Sequence, residues 1–198
     1  KMRFKVNGAD AGKFSLPAGW DDLCFGVQFF DHADEVIITA EPDPFVDGVS
    51  VANGSEPGCR LLRATGHPVS GGGPKPTYLT SEPLVAGRLH ALELTVKVKK
   101  SELRLGVINR PAYLQVVNDL GCARSFHSSQ CASAVAYCVW WEKGAGIAMG
   151  KDFKEMLGNV TVSAGDKVRM ELDRSDVSKP PKMRFKVNGA DAGKFSLP

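Results

Sequence analysis

Two stretches of the chain place side chains with ligating or acid–base chemistry close together. The first contains Cys122, His127 and Cys131, and cysteine and histidine are the ligands that zinc prefers. No clear fourth ligand follows, and the paired C-x2-C spacing of strong zinc motifs is absent. We therefore expect ordinary thiols and a surface histidine here, and we predict no metal site and no cofactor.

The second stretch contains Asp31, His32 and Asp34, which lie between two apolar runs. Aspartate favours turns because its side chain accepts hydrogen bonds from nearby backbone amides, so we predict a hairpin turn. The glycine-rich stretches 71–73 and 144–146 lack the G-K-[ST] ending of a phosphate loop, and no G-x-S-x-G motif is present. The sequence thus predicts no catalytic residue and a protein that is not an enzyme.

The elements that would position such residues are organised around a repeat. The 17 residues KMRFKVNGADAGKFSLP occur at 1–17 and again at 182–198, an offset of 181. Chance does not produce such identity, and an ancient duplication would have diverged. We expect a fragment of an array of near-identical repeats, with an engineered duplication of one strand as the alternative.

The repeat also accounts for the charge. The chain has a net charge of +3, and one copy of the duplicated segment carries all of it. One period is neutral, so a sustained basic surface for nucleic acid is not expected. No stretch approaches the roughly 20 apolar residues of a transmembrane helix.

The number of cysteines indicates the cellular compartment of the protein. Five are present, none of them in the duplicated segment, and an odd number argues against a closed disulfide framework. We therefore expect a cytoplasmic protein. Two glycosylation triplets, Asn53-Gly-Ser55 and Asn159-Val-Thr161, indicate a secreted protein instead.

The periodicity along the chain is that of strands. Predicted strands are Met2–Val6, Leu23–Phe30, Glu35–Ala40, Cys59–Ala64, Arg88–Val98, Glu102–Ile108, Ala132–Trp141, Lys167–Leu172 and Met183–Val187. Asn7-Gly8 and Asn188-Gly189 predict two-residue hairpin turns, whereas helical spacing is nearly absent and only 152–157 could form one helical turn. Short strands separated by turn residues predict an all-β fold, an antiparallel two-sheet β-sandwich.

Three stretches together resemble a SPRY (B30.2-like) domain. Leu84–Asn109 is similar to the family's strand pair that ends in "-rvGv". Gly165–Gly189 is similar to its "GD-i-v-lD … i-F-vNG". Phe195–Pro198, continued by residues 18–41 of the next copy, is similar to its closing "lP … l-f-v-l" strands. The resemblance implies a SPRY-like, concanavalin-like sandwich, although residues 110–130 do not align.

This resemblance suggests a domain organisation. Residues 1–41 would be closing strands from the preceding repeat, 42–58 a linker, and 59–198 the main part of the sandwich, in which 182–198 duplicates 1–17. The N-terminal segment would then fold back as a circular permutant or complete a neighbouring molecule. Two identical strands compete for one position, which favours self-association by strand exchange.

The resemblance also implies a protein-interaction module that binds through loops at one edge of the sandwich. The equivalent loops are 66–77, 109–130 and 142–152. Of the adjacent Trp140 and Trp141, one must face outwards because successive strand residues point to opposite sides. The predicted partner-binding residues are Trp141, Tyr113, His127 and Trp20.

Identical units in series would multiply weak contacts. This layout is similar to that of giant tandem-repeat proteins of protist cytoskeletons, so we predict a scaffold with protein partners, cytoskeletal ones among them. The alternative is a repeat of a secreted or surface adhesin with a lectin-like, carbohydrate-binding sandwich.

Overall fold

The architecture comes from a computed structural model, which describes residues 2–6, 9–14, 23–39, 44–65, 73–126, 131, 136–142, 145–150, 153–156 and 160–196. The elements in chain order are β1 (Met2–Val6), β2 (Ala9–Phe14), β3 (Leu23–Phe29), β4 (Glu35–Thr39), β5 (Phe45–Asp47), β6 (Val49–Asn53), β7 (Cys59–Ala64), β8 (Thr77–Leu79), β9 (Leu89–Val98), β10 (Leu103–Asn109), α1 (Arg110–Leu120), β11 (Ala136–Glu142), β12 (Ala145–Gly150), β13 (Phe153–Met156), β14 (Lys167–Asp173), β15 (Lys182–Val187) and β16 (Ala190–Ser196).

Most of these strands form two antiparallel sheets. Sheet I has the order β13-β12-β11-β10-β3-β8-β5, and sheet II has the order β16-β15-β14-β9-β4-β7-β6. The chain crosses between the sheets repeatedly, so both are assembled from strands far apart in sequence. The predicted all-β, two-sheet sandwich is confirmed.

Alternation of side chains builds the core between the two sheets. In β9, Leu92, Leu94 and Val96 are buried while their neighbours are more exposed. In β15, Met183 and Phe185 are buried between exposed basic residues. A half-buried strand shows this period of two because successive side chains point to opposite faces.

The central strands of sheet I are buried on both faces. Every residue of β3 and of β10 is buried. Alternate residues such as Val27 and Leu105 join the core between the sheets, whereas Cys24 and Ile108 belong to a second apolar cluster. This second core lies between the outer face of sheet I and α1.

Helix α1 corrects the prediction of a loop over 109–130. Asn109 caps the helix, since its side chain accepts a hydrogen bond from the amide of Ala112 at 2.8 Å. Proline stands in the first turn, and Gly121 ends the helix with a φ of 70°. Asparagine, proline and glycine at these positions are the usual start and stop signals of a helix. At 11 residues, this helix of the described chain does not qualify as a membrane span.

Three further predictions about local structure are wrong. Residues 42–58, predicted as a linker, contribute the edge strands β5 to sheet I and β6 to sheet II. The helical turn predicted at 152–157 is instead the strand β13, and the loop predicted at 142–152 contains β12. These segments are rich in Gly and Pro or too short to show a clear period, so pairing with neighbouring strands decides their conformation.

The segment 23–39 lies inside the sandwich of its own chain. Strand β3 pairs with β10 and β8, and β4 pairs with β9 and β7. Within this chain the segment is therefore paired with the strands that follow it in sequence. The two copies of the duplicated segment differ: β15–β16 forms the edge of sheet II, whereas β1 and β2, among the described strands, pair only with each other.

Candidate interaction surface

Of the four residues predicted to bind a partner, only Tyr113 has a side chain that the structure describes. Tyr113 is fully buried in the second core, so it does not offer a ring to a partner. The backbone of Trp141 lies in β11, opposite Leu103. His127 and Trp20 lie outside the described residues.

Tyr113 instead belongs to a buried polar network with Gln28. The Gln28 amide donates to Thr77 Oγ1 at 2.9 Å, to Tyr113 Oη at 3.1 Å and to the Arg124 carbonyl at 2.6 Å. Its oxygen accepts from the Phe126 amide at 2.9 Å. Burial raises the pKa of Tyr113 well above its ordinary value. Buried polar groups that are fully bonded in this way rigidify a core, so the network is structural.

A glycine in β3 makes room for the ring that covers this network. A Cβ at Gly26 would stand 2.6 Å from Phe126 Cζ. The Phe126 and Tyr113 rings meet edge to face at 5.5 Å. Because a Cβ contact under 3 Å forces a shift, any other residue at position 26 would push the Phe126 ring out of this place.

Two cations lie over one aromatic ring at the margin of the second core. Lys75 Nζ is 4.8 Å and the Arg104 guanidinium is 4.1 Å from the centroid of Phe30. Glu102 binds Arg104 at 2.9 Å. Desolvation, with the nearby Arg104 charge, lowers the pKa of Lys75. Both cations are nearly buried, so this cluster packs the sheet and does not present charge to a partner.

The same region joins two of the predicted partner-binding loops. The Lys75 amide donates to the Ala123 carbonyl at 2.9 Å, and the Ala123 amide donates to Asp47 Oδ2 at 2.5 Å. The described ends of loops 66–77 and 109–130 therefore meet on the outer side of sheet I.

The acidic stretch at 31–34 forms the predicted turn. Asp31 Oδ1 accepts from the Ala33 amide at 2.9 Å, and Asp34 Oδ2 accepts from the Asp31 amide at 3.1 Å. Asp34 also accepts from the Lys100 amide at 2.6 Å, which ties two turns together. Burial raises the pKa of Asp34 despite these bonds. The carboxylates bind backbone amides, as expected for a turn.

Two of the three possible zinc ligands, Cys122 and Cys131, lie in different environments. Cys131 is buried in the second core, and the Cys122 thiol contacts the Leu120 carbonyl at 3.6 Å. His127, the third, lies outside the described residues. Within the described ranges, no group of three His, Cys, Asp or Glu side chains could hold a metal ion.

The outer face of β14–β16 is strongly charged. Val168, Met170 and Leu172 of β14 point into the core, so the residues between them face outwards. The six outward cations, which we call the basic face, are Lys167, Arg169, Lys182, Arg184, Lys186 and Lys194. They exceed the carboxylates of the same strands, which are Glu171, Asp173 and Asp191.

Glu171 organises the middle of the basic face. Its Oε1 accepts from Arg169 Nε at 2.8 Å and from Lys186 Nζ at 3.2 Å. The bond from Arg169 is the main cause that holds the pKa of Glu171 below its usual value. Lys167, Lys182, Arg184 and Lys194 remain exposed. Such a surface complements an acidic partner, because opposite charges steer encounter and fix orientation.

The sequence pattern indicates only part of this surface. The alternation of Lys182, Arg184 and Lys186 indicates the wet face of a strand. It does not reveal that β14 adds Lys167 and Arg169 beside it, because the two strands are neighbours only through the sheet register.

Comparisons of the chain with protein-family models, with curated proteins and with solved structures find no significant match.

Proposed function

We propose that this chain is a non-catalytic protein-interaction repeat from a large tandem-repeat scaffold, SPRY-like in its sandwich and associated with the cytoskeleton in the cytoplasm. One observation carries the proposal. The second copy of the duplicated segment completes sheet II as β15–β16, while the identical first copy pairs with neither sheet among the described strands. A hairpin that pairs with neither sheet of this sandwich is expected if, in a longer array, it closes the sandwich of the preceding repeat.

The spacing of the duplication supports a serial array. The sandwich runs from Leu23 to Ser196, which fits within one period of 181 residues. In an array, each unit would end with its own closing hairpin, and residues 15–22 would connect it to β3 of the next. Under this proposal the unit boundary lies before β3 and not at residues 42–58.

The basic face supports an interaction role. Its four exposed cations, Lys167, Lys182, Arg184 and Lys194, would recur once in every unit of an array. Linked sites bind with an effective concentration set by their spacing, so several weak contacts give strong attachment. An acidic protein surface with its own repeat, such as a filament, is the partner that this arrangement fits.

The environment of the titratable groups favours binding over catalysis. Asp31 and Asp34 bind turn amides, Glu171 neutralises two neighbouring cations, and Tyr113 bonds within a core network. Catalytic groups must instead present a proton or an electron pair to a substrate.

Co-sedimentation with actin filaments and with microtubules tests the proposal. A chain of two fused units should pellet at a concentration at least about tenfold lower than one unit, because the second contact is intramolecular. Lys167→Glu with Arg184→Glu should abolish pelleting, whereas the matched control Arg63→Glu with Arg88→Glu should leave it unchanged. Absence of pelleting for both chain lengths on both filaments would contradict the cytoskeletal proposal.

The adhesin alternative is favoured by one observation. Asn53 of the triplet Asn53-Gly-Ser55 is exposed at the end of β6, where its side chain accepts a hydrogen bond from Arg60. Residues 53–60 border an open hollow of about 380 Å³. Glycan attached at Asn53 in protein from its natural source would favour a secreted adhesin over the cytoplasmic scaffold.

A further inference from the structure

We propose that the first-copy hairpin, β1–β2, can replace the second-copy hairpin, β15–β16, at the edge of β14 in the same chain. The sandwich would then be closed from either end of the sequence. This inference goes beyond the proposed function and does not depend on it, since it concerns one chain with two copies.

The two hairpins have the same internal geometry. Met2 pairs with Phe14 as Met183 pairs with Phe195, and the five pairs of β1–β2 all recur in β15–β16. Both hairpins shift register at the same point, between Phe4 and Lys5 and between Phe185 and Lys186. The first copy pairs with neither sheet among the described strands, yet it forms the same hairpin as the copy that pairs with β14.

The edge of β14 accepts that shape through three kinds of contact. Six residue pairs join β14 to β15. Met183 and Phe185 are fully buried in the core between the sheets. Asn188 bonds the Lys167 backbone twice, through its amide at 2.8 Å and its side-chain oxygen at 2.9 Å. The β15 residues and Asn188 each have an identical counterpart in the first copy.

The first copy can reach this position because the open end of the hairpin and the start of β3 lie at the same end of the sandwich. Ser196 pairs with Lys182, and Lys182 pairs with Asp173. Beside Asp173, the side chain of Arg174 donates to the Leu84 carbonyl, and the Leu84 amide donates to the Leu23 carbonyl at 2.8 Å.

The length of chain is sufficient to bridge that end. Four strand spacings of about 4.8 Å separate β16 from β4, which the turn at 30–34 joins to β3, and about 10 Å separates the sheets, so the hairpin end lies roughly 20 to 23 Å from β3. Eight residues, 15–22, connect the equivalent Ser15 to Leu23. Eight extended residues span up to about 26 Å, so the first copy reaches the edge without unfolding β3.

The second copy is joined to the same edge by a connection of equal length. Residues 174–181 link β14 to β15, and hydrogen bonds from Ser175 to Asp173 and from Ser178 to Asp176 order this turn. An ordered turn lowers the entropy cost of docking, which explains why the second copy occupies the edge in the structure. The first copy is a competitor of the same sequence at a similar effective concentration.

Substitutions at equivalent positions test the exchange by thermal unfolding of the full chain. Phe4→Asp should leave the midpoint temperature unchanged. Phe4→Asp with Phe185→Asp should lower it by roughly 6 to 20 °C, as expected for loss of a core phenylalanine. Phe185→Asp alone should lower the midpoint temperature by less than half as much as the double variant, because the intact first copy pairs with β14 in place of the second. A loss for Phe185→Asp equal to that of the double variant would overturn the proposal.

Disulfide trapping identifies which chain supplies the hairpin. Arg169 pairs with Lys186 across the β14–β15 edge, and Lys5 is the counterpart of Lys186. In the Phe185→Asp chain, Lys5→Cys with Arg169→Cys should give an intrachain disulfide, located by mass spectrometry. The matched control is Lys186→Cys with Arg169→Cys in the Phe4→Asp chain. With the control trapped, an interchain disulfide or no disulfide between positions 5 and 169 would overturn exchange within one chain.

Discussion

The two copies of the duplicated segment have the same local conformation but different positions in the fold. Each copy folds into a hairpin with the same pairs and the same register shift. Only one of them joins a sheet: β15 pairs with β14, whereas β1, among the described strands, pairs with β2 alone. Local sequence thus specifies the hairpin, and the number of available strand edges specifies where it goes.

Burial explains why the second location stabilises the molecule. Met183 and Phe185 are fully buried beneath sheet II, and burying such a side chain contributes about 1.5 to 3 kcal/mol. A two-stranded hairpin alone is marginally stable in water at best. The difference teaches that most of the stability of this element comes from its neighbours. Changes in both copies should therefore matter, and changes in the first copy alone should not.

The largest expected effect comes from the buried aromatic position. Phe4→Ala with Phe185→Ala should lower the free energy of unfolding by about 3 to 5 kcal/mol, because it leaves a cavity that neither hairpin can fill. Phe4→Ala alone should change it by less than about 0.5 kcal/mol. Urea unfolding measures both. A comparable loss from Phe4→Ala alone would show that the first copy also belongs to the core.

The hairpin turn should give a smaller effect. Asn188 and Gly189 have φ values of 51° and 82°, the positive values of a two-residue hairpin turn. Gly8→Ala with Gly189→Ala should cost about 1 to 2 kcal/mol, because a Cβ disfavours the left-handed conformation. Gly8→Ala alone should leave the urea midpoint unchanged, and a shift there would contradict the comparison.

The smallest effect concerns the ion pair between Lys186 and Glu171. The pKa of Glu171 is lowered in the folded chain. The ionised Glu171 carboxylate therefore stabilises the folded chain fully at pH values above 4.5, the ordinary pKa of a glutamate. This stabilisation is lost as the pH falls through the lowered pKa of Glu171. Lys5→Met with Lys186→Met should remove about 0.2 to 1 kcal/mol at pH 7 and less once the pH has fallen through the lowered pKa of Glu171.

Urea unfolding across this pH range measures the loss. An equal loss at pH 7 and at acidic pH would show that Lys186 acts through packing and not through the charge of Glu171. Lys5→Met alone is the control and should have no effect at either pH.

The sequence predicts strands best where one face is apolar and the other polar. The prediction of β7 at Cys59–Ala64 matches its bounds, and β4, β9 and β14 are predicted to within one residue at either end. Alternation is strong there because each strand separates a core from solvent. The sequence does not predict strand β16, because Ala190–Ser196 contains neither β-branched residues nor a regular alternation.

The sequence pattern does not predict helix α1 or the burial of Tyr113, for a related reason. The helix carries Asn109, Pro111 and Gly121 as start and stop signals, but the surrounding strand pattern and the SPRY resemblance favoured a loop. The second core that buries Tyr113 depends on Gly26 and Gln28, which are 85 or more residues away from it in sequence. No local period reports a contact of that range.

The unfolding of the chain without residues 1–17 tests the central claim, that residues 23–196 form a complete sandwich and the first copy is surplus to it. The account predicts a urea midpoint within error of that of the full chain. Loss of the cooperative transition, or a decrease in the free energy of unfolding of more than about 1 kcal/mol, would contradict it.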